Sequence, residues 1–240
     1  MKVNPLITII TLTKNDPEGL LKTSISVNKQ ICNSIIEYLI LDGSSMDIQN
    51  KNSNMLKKIM MKDFIITQRI DMISKNIFGI YESMNFGLKI FEGSSIIFMN
   101  GGDTFYNEKS INYLIQEHLR NKFVSTVSFG QAEINSSIGL KWNFPGRGLY
   151  KINSWLRYFE PNHQAMLVSR DIASESKFIE KCSISADKYW KRGILKTCKN
   201  LNYINIPVCK FYLDGFSSKR PNLKILKSQL KDKYISNTRK

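Results

Sequence analysis

The feature of this 240-residue sequence that most limits its possible folds is a repeated alternation of apolar runs and helix signals. Short apolar, β-rich runs occupy residues 6–11, 36–41 and 64–67. After the first run, Asp16 and Pro17 form the pattern of an N-cap followed by proline at the first helical position. Strands that are apolar along their whole length and alternate with helices are typical of a mostly parallel sheet covered on both faces. We therefore predict an α/β protein.

A fourth unit follows the same order. Tyr81, Met84, Leu88 and Phe91 recur at spacings of three, four and three, which predicts one apolar helix stripe that packs into the core. A strand over residues 95–99 comes next. The second half is less regular, and we expect these elements there: strands at 123–129, 164–169 and 203–213, and a short helix at 185–195.

Residues 139–160 are rich in aromatic residues, glycine and basic residues, and they have no acid until the last position. A long, weakly structured segment within a compact domain is usually a lid or a binding loop. We favour a loop over the active site, with a plain surface connection as the alternative.

Polar clusters follow three of the predicted strands: residues 11–13, 42–44 and 100–103. Ligands of open α/β sheets bind beyond the carboxyl ends of the strands, so these clusters are the candidate site. The sequence has neither the G-x-G-x-x-G nor the G-x-x-x-x-G-K-[ST] pattern, which argues against dinucleotide oxidoreduction and P-loop hydrolysis.

Composition indicates a folded protein with an anionic partner. Apolar residues make up 42% and charged residues 23%, and no run reaches the ~18 apolar residues of a spanning helix. The formal net charge is +15, and residues 219–240 carry eight basic residues against one acid. Nucleic acid, a phosphorylated ligand and a lipid surface all fit this charge. The basic tail reads equally as a solvated helix or as a membrane contact.

A set of motifs in a fixed order resembles the GT-A-fold glycosyltransferases of family 2, especially the small bacterial enzymes that build O-antigen, capsule or colanic-acid repeats. The motifs are PLITIITLTKND, EYLILDGSSMD, GIYESMNFGLKIFEG, IIFMNGGDTF, PNHQAMLVSRD, SISADKYW and FYLDGFS. The match implies a Rossmann-like GT-A domain over residues 1–215, whose nucleotide-sugar half ends near residue 105 and whose acceptor half follows. A basic helical tail, residues 216–240, would complete the chain.

The resemblance also implies roles for individual residues. Asp103 would be the carboxylate of the metal-binding D-x-D element and would hold Mn²⁺ or Mg²⁺, and Asp187 would be the general base. The residues implied for the nucleotide are Thr11, Thr13, Asp42, Asn100, Gly101 and Gly102, and those implied for the acceptor or diphosphate side are His163, Trp142 and Arg147.

This chain departs from the family pattern in two places. Asn100 and Gly102 stand where many relatives have acids, so Asp103 is the lone carboxylate of the element. Residues 74–79 lack both acids of the S-E-x-D-x-G motif that relatives commonly show. The first departure predicts weaker metal affinity.

The implied activity is an inverting transfer of a sugar from a nucleotide-sugar, usually a UDP-sugar, to a lipid-diphosphate-linked saccharide. The cation would absorb charge on the leaving diphosphate, and the aspartate would take the acceptor's proton. The implied location is the cytoplasmic face of the inner membrane, as a peripheral protein. Two alternatives stay open, a basic nucleic-acid-binding protein and a catalytically weakened homologue. Asp42 and Asp187 have a simpler reading as helix caps.

Overall fold

A computed structural model of the protein describes residues 6–145, 161–182, 185–213 and 231–232. Its sheet has nine strands in the order β3-β2-β1-β4-β8-β6-β9-β5, with β7 beside β6. The strands are β1 (Ile7–Thr13), β2 (Ile36–Asp42), β3 (Ile65–Asp71), β4 (Ser95–Phe98), β5 (Thr104–Phe105), β6 (Thr126–Asn135), β7 (Lys141–Phe144), β8 (Met166–Ser169) and β9 (Asn200–Tyr212). The helices are α1 (Pro17–Asn28), α2 (Met46–Lys57), α3 (Ile80–Ile90), α4 (Ser110–Leu119), α5 (Arg170–Glu175) and α6 (Ala186–Thr197).

The first half is the parallel array that the sequence predicts. β1 pairs in parallel with β2 and with β4, and β2 pairs in parallel with β3. The connecting helix α1 begins at Pro17, and its N-cap Asp16 accepts a hydrogen bond from the backbone N of Gly19 at 2.9 Å. The carboxyl ends of all four strands therefore lie at one edge of the sheet.

The second half mixes directions. β8 runs antiparallel to both β4 and β6, whereas β9 runs parallel to β6. Since β8 reverses direction between them, β4 and β6 point the same way. The predicted α/β fold with a mostly parallel sheet is confirmed, and its antiparallel additions are in this half.

Two apolar cores, one on each face, hold the helices against the sheet. Ile10 and Leu12 of β1 face the core that α3 and α6 cover, whereas Ile7 and Ile9 face the core that α1 and α4 cover. Successive strand residues point to opposite faces, so a strand buried on both sides must be apolar throughout. All four residues of the predicted helix stripe are buried: Tyr81, Met84, Leu88 and Phe91.

The structure departs from the sequence predictions in two places. Residues 141–144 form β7, antiparallel to β6, so part of the segment 139–160 is a strand and not a loop. The helix α4 was not predicted, because its N-cap Lys109 makes no side-chain cap and leaves no start signal. Arg147, the rest of the segment 146–160 and nearly all of the basic tail lie outside the described residues.

The four cysteines are free thiols, and three of them, Cys32, Cys182 and Cys209, are buried. Among the helices of the described ranges, none combines the length and hydropathy that crossing a bilayer requires.

Candidate functional site

The loops after β1, β2 and β4 are hydrogen-bonded to one another. Gly43 N donates to Thr13 O at 2.9 Å, and Gly101 N donates to Leu12 O at 3.0 Å. A Cβ at position 101 would lie 3.1 Å from Leu12 O, so glycine permits this close approach. The three polar clusters that the sequence singles out therefore adjoin at one sheet edge.

A pocket of about 360 Å³ opens beside these loops. Its walls are mainly apolar, and Phe78 at its mouth is 64% exposed. Such a shape suits a flat apolar group with a nearby anion. The residues that line it are Leu12, Thr13, Lys14, Leu41, Gly43, Ile77, Phe78, Gly79, Ile80 and Ser83.

Asp42 is fully buried at the end of β2, with 0% of its surface exposed. One carboxylate oxygen accepts from Ser44 N at 3.0 Å, and the other accepts from Asn52 Nδ2 at 2.9 Å and Arg69 Nη1 at 3.1 Å. A carboxylate with three protein donors and no exposed surface supports the loop and presents nothing to a ligand. The predicted contact of Asp42 with a nucleoside does not fit this arrangement.

Asp103 is also tied into the protein, with 6% of its surface exposed. Its Oδ1 accepts from Tyr212 N at 2.8 Å, and its Oδ2 accepts from Gln164 Nε2. Burial raises the pKa of Asp103 to about 7, although both hydrogen bonds and Lys22 act in the opposite direction. The charged form of this carboxyl is therefore costly in the folded protein.

These contacts bear on whether Asp103 could bind a divalent cation. Metal ligation needs a deprotonated oxygen, whereas burial raises the pKa of Asp103, and each of its oxygens accepts a protein hydrogen bond. In the described ranges, no three His, Cys, Asp or Glu side chains lie together as metal ligands. As they lie, the described residues do not fit a metal centre at Asp103, and we derive no step through one.

Asn100, His163 and Asp187 form a connected row across the site. Asn100 Nδ2 lies 3.4 Å from His163 Nε2, and His163 Nδ1 lies 3.7 Å from Asp187 Oδ2. Burial lowers the pKa of His163 to about 4, despite the nearby Asp187. A pKa lowered in this way favours the neutral imidazole at pH 7, and with Asn100 Nδ2 as the donor to Nε2 its proton would be on Nδ1, facing Asp187.

Asp187 is the accessible acid of this group. It lies in the first turn of α6, with its side chain 28% exposed, where the helix dipole stabilises negative charge. Lys191 lies one turn further on, and its Nζ is 3.7 Å from Asp187 Oδ2. A carboxylate with a cation on one side, a neutral imidazole on the other and an open face is arranged to accept a proton from a bound hydroxyl.

Two buried amide oxygens in the same region, Asn100 Oδ1 and Gln164 Oε1, have no hydrogen-bond partner among the described residues. An unpaired buried acceptor costs free energy, so each position favours an incoming donor. Sugar hydroxyls are donors of this kind, and both residues already contact the site, Asn100 through His163 and Gln164 through Asp103.

The remaining predicted residues are placed as follows. Thr11 is fully buried and donates to Met99 O at 2.7 Å, so it holds the loop after β4. Gly102, at φ +95°, donates its N to Thr23 Oγ1 at 3.0 Å. Thr13 lines the pocket, and Trp142 lies on β7 with 46% of its surface exposed.

Sequence reasoning gave no role to Gln164 or Thr23. Gln164 follows His163 in a short 3₁₀ turn, and the capping hydrogen bond from Gln164 N to Asn162 Oδ1, 2.9 Å, fixes that turn. Its position in the N-H-Q motif was the one signal available. Thr23 left no signal, because its partners Gly102 and Asp103 are 79 and 80 residues away.

No family model matches the chain, and no curated protein matches its sequence. Several solved structures, however, are similar to it in fold. The S. aureus TarS fragment 1–349 has a TM-score of 0.66 at 14% identity over 86% of this chain and 60% of its own. In complex with UDP-GlcNAc, that fragment has a TM-score of 0.67 at 13% identity over 92% and 64%.

The mannosyltransferase PcManGT from Pyrobaculum calidifontis, in complex with GDP-Man and Mn²⁺, has a TM-score of 0.65 at 11% identity. The match covers all of this chain and 66% of that one, so this chain spans less than two thirds of each of these structures. Identities this low establish the fold alone. The protein has the GT-A-like fold of glycosyltransferases, as the sequence resemblance implies.

Proposed function

We propose that this protein is a glycosyltransferase that moves a sugar from a nucleotide-sugar to a hydroxyl acceptor. The observation that carries the proposal is the row Asn100–His163–Asp187, which joins the loop after β4 to an accessible carboxylate on α6. The pocket beside β1 and β2 offers apolar walls for a nucleobase and Lys14 for an anion. The TarS complex with UDP-GlcNAc and the PcManGT complex with GDP-Man support this class of donor.

In the proposed reaction, Asp187 accepts the proton of the acceptor hydroxyl as that oxygen attacks C1 of the sugar. His163 Nδ1–H and Lys191 Nζ, each 3.7 Å from Asp187 Oδ2, hold the carboxylate in place. The bond from C1 to the diphosphate breaks in the same step, so a single displacement inverts the anomeric configuration. A positioned base of this kind contributes roughly 10²- to 10⁴-fold in rate.

Two amide oxygens of the site could hold the sugar through hydrogen bonds. Asn100 Oδ1 and Gln164 Oε1 would take hydrogen bonds from sugar hydroxyls, which would relieve two unpaired buried oxygens. A donor with those hydroxyls removed would leave the oxygens unpaired and bind more weakly.

The proposal also includes the details that the sequence resemblance implies. The enzyme would be of family 2 type, with a UDP-sugar as donor and a lipid-diphosphate-linked saccharide as acceptor. It would act in the synthesis of a bacterial surface polysaccharide at the cytoplasmic face of the inner membrane. PcManGT is solved with Mn²⁺, which supports metal use in a protein of this fold. The contacts of Asp103 do not fit a metal ligand, so a metal requirement stays a prediction. Titration of the protein with a nucleotide-sugar, with and without Mn²⁺, tests it.

A donor screen tests the proposal. Thermal shift with UDP-, GDP- and other nucleotide-sugars identifies the donor, and mass spectrometry then follows transfer to a synthetic lipid-diphosphate sugar. We expect one nucleotide class to raise the melting temperature and one product to gain a single sugar mass. Absence of stabilisation by every nucleotide-sugar contradicts the proposal.

The alternative function, nucleic-acid binding, is tested by a second assay run beside the donor screen. A salt titration of RNA binding measures how much of any affinity comes from the net charge of +15, because contacts to phosphates weaken steeply with salt. Tight RNA binding that survives high salt, without any nucleotide-sugar response, would favour that alternative. Nucleotide-sugar binding without turnover would instead favour the weakened homologue.

A further inference from the structure

The hairpin of β6 and β7 ends in a tip, residues 136–142, that exposes three large apolar side chains. Ile138 is 76% exposed, Leu140 is 59% exposed and Trp142 is 46% exposed. Scattered single apolar residues are normal on protein surfaces, but three within five residues form a patch that marks an interaction surface.

The tip is an ordered turn. Ser136 N donates to Leu140 O at 2.9 Å, Gly139 N donates to Ser136 O at 3.1 Å, and Leu140 N donates to Ser136 Oγ at 3.0 Å. Gly139 has φ +82°, which glycine adopts without strain. The apolar side chains are therefore held outward by a hydrogen-bonded backbone.

The tip extends an apolar stripe that begins in the core. Trp142 pairs across the strands with Ile134, and Phe144 pairs with Ala132, so all four share one face of the hairpin. Ile134 and Ala132 are buried, and exposure increases from Phe144 through Trp142 to Leu140. The opposite face of β7 carries Lys141, which is exposed.

The hairpin stands next to the candidate site. Asn135, the last residue of β6, pairs with Tyr212 of β9, and Tyr212 N donates to Asp103 Oδ1 at 2.8 Å. Because β6 runs in the same direction as β4, its turn projects from the sheet edge that carries the loop after β4. The tip and the site therefore face the same side of the molecule.

We propose that the tip of the β6–β7 hairpin inserts into the interfacial region of an anionic lipid bilayer. A narrow convex turn has no groove to seat a helix or a strand of a partner protein, whereas a fluid interface closes around it. Tryptophan with a neighbouring lysine is the pairing that membrane–water interfaces favour. The net charge of +15 complements an anionic surface.

This placement brings a membrane-embedded acceptor to the candidate site. A saccharide on a lipid diphosphate extends from the surface that the tip contacts, towards the sheet edge of Asn100 and Asp187. This consequence rests on the proposed glycosyl transfer, whereas insertion of the tip does not.

Vesicle flotation tests the proposal, with phosphatidylcholine vesicles that contain or lack phosphatidylglycerol. The variant is Ile138→Ser with Leu140→Ser. Its matched control is Met60→Ser with Val124→Ser, which removes two similarly exposed apolar side chains elsewhere, 90% and 56% exposed. We expect the tip variant to lose about tenfold or more in partitioning to anionic vesicles, because the buried apolar area is lost. The control should bind like the unchanged protein.

Fluorescence gives a second readout that does not depend on losing affinity. Addition of anionic vesicles should shift the tryptophan emission to shorter wavelength, and Trp142→Phe should abolish most of that shift. Equal binding of the tip variant and the control overturns the proposal. So does a dimer in sedimentation equilibrium that the tip substitutions dissociate, since the tip would then bind a second copy of this chain.

Nucleotide binding is measured separately, in the absence of vesicles. The tip variant should keep the nucleotide response of the unchanged protein, because no residue of the tip lines the pocket at β1 and β2. If the tip variant loses vesicle binding and neither the variant nor the unchanged protein responds to a nucleotide-sugar, the tip proposal stands and the proposed function is wrong. If both proteins respond to a nucleotide-sugar and the tip variant binds vesicles normally, the proposed function stands and the tip proposal is wrong.

Discussion

At the residue scale, the three aspartates that the sequence marks as candidate site residues have three different environments. Asp42 has no exposed surface and three protein donors. Asp103 has two donors and a pKa raised to about 7 by burial. Asp187 is 28% exposed beside a neutral imidazole and a lysine. A base must be reachable by the hydroxyl that it deprotonates, and of these three only Asp187 has a partly exposed side chain.

The proposed role of Asp187 as the base gives the first prediction about a single residue. Asp187→Asn should lower turnover by about 10²- to 10⁴-fold, because the amide cannot accept the hydroxyl proton. Nucleotide affinity, measured by calorimetry, should be nearly unchanged. The control is Asp47→Asn, the same change in the first turn of α2, which should leave turnover intact. Full activity in Asp187→Asn would remove it from the mechanism.

The buried Asp103 gives a prediction about pH. Its pKa is about 7 in the folded protein and near 3.8 when unfolded, so the folded state holds the proton more tightly. The stability from this difference is fully present below pH ~4 and is lost as pH rises through ~7; three pKa units correspond to at most about 4 kcal/mol. Asp103→Asn removes this dependence, so its destabilisation relative to the unchanged protein should be larger at pH 5 than at pH 8.

Denaturant unfolding at several pH values measures that difference. Burial lowers the pKa of His118 and of His163 to about 4, so both add stability above pH ~6.5 that is lost on acidification. Because both proteins contain these histidines, their effect largely cancels in the comparison. Asp63→Asn, at an exposed position, is the control and should show no such pH trend. A constant difference between Asp103→Asn and the unchanged protein contradicts the prediction.

At the element scale, close packing between strand ends and connections depends on particular glycines. Gly93, just before β4, lies against β1, and a Cβ there would be 2.5 Å from Thr8 N and 2.7 Å from Ile7 C. Its own N donates to Thr8 Oγ1 at 2.9 Å. Such contacts with backbone atoms cannot be relieved by rotating a side chain, so the start of β4 would have to move.

Two glycine-to-alanine substitutions compare the effect on stability of a methyl group placed against backbone atoms with that of one placed in open space. Gly93→Ala should destabilise the protein by about 2 to 4 kcal/mol, because β4 is displaced from β1. Gly193→Ala is the matched control, inside α6 with nothing within 4 Å of the added methyl, and should stabilise by about 0.5 to 1 kcal/mol. Denaturant midpoints give both values. Equal effects at the two positions would refute the proposed contact.

At the scale of the whole molecule, the sheet brings distant parts of the chain to one edge. Asn100 and His163 are 63 residues apart, and Tyr212 meets Asp103 from 109 residues away. The same edge carries the candidate site and the exposed hairpin tip. If both proposals hold, nucleotide and membrane would bind on the same side of the protein, which is the geometry that the proposed transfer requires.

Local sequence signals were enough to predict the order of strands and helices in the first half and the edge at which the polar clusters meet. Both are local properties, because an apolar run, an N-cap and a helix stripe are each set by residues a few positions apart. The second half was less predictable. β7 and α4 formed without a start signal of their own, stabilised by pairing and packing against β6 and β9.

Which polar side chains are exposed and which are held by protein donors depends on how the whole chain packs. Asp42 and Asp103 follow strands in the sequence just as ligand-binding acids do, yet donors from Asn52, Arg69, Gln164 and Tyr212 occupy their oxygens. Whether a carboxylate faces solvent or a buried donor depends on residues far away in the chain. No local pattern encodes that choice, because burial and hydrogen bonding are set by how the whole sheet and its helices pack.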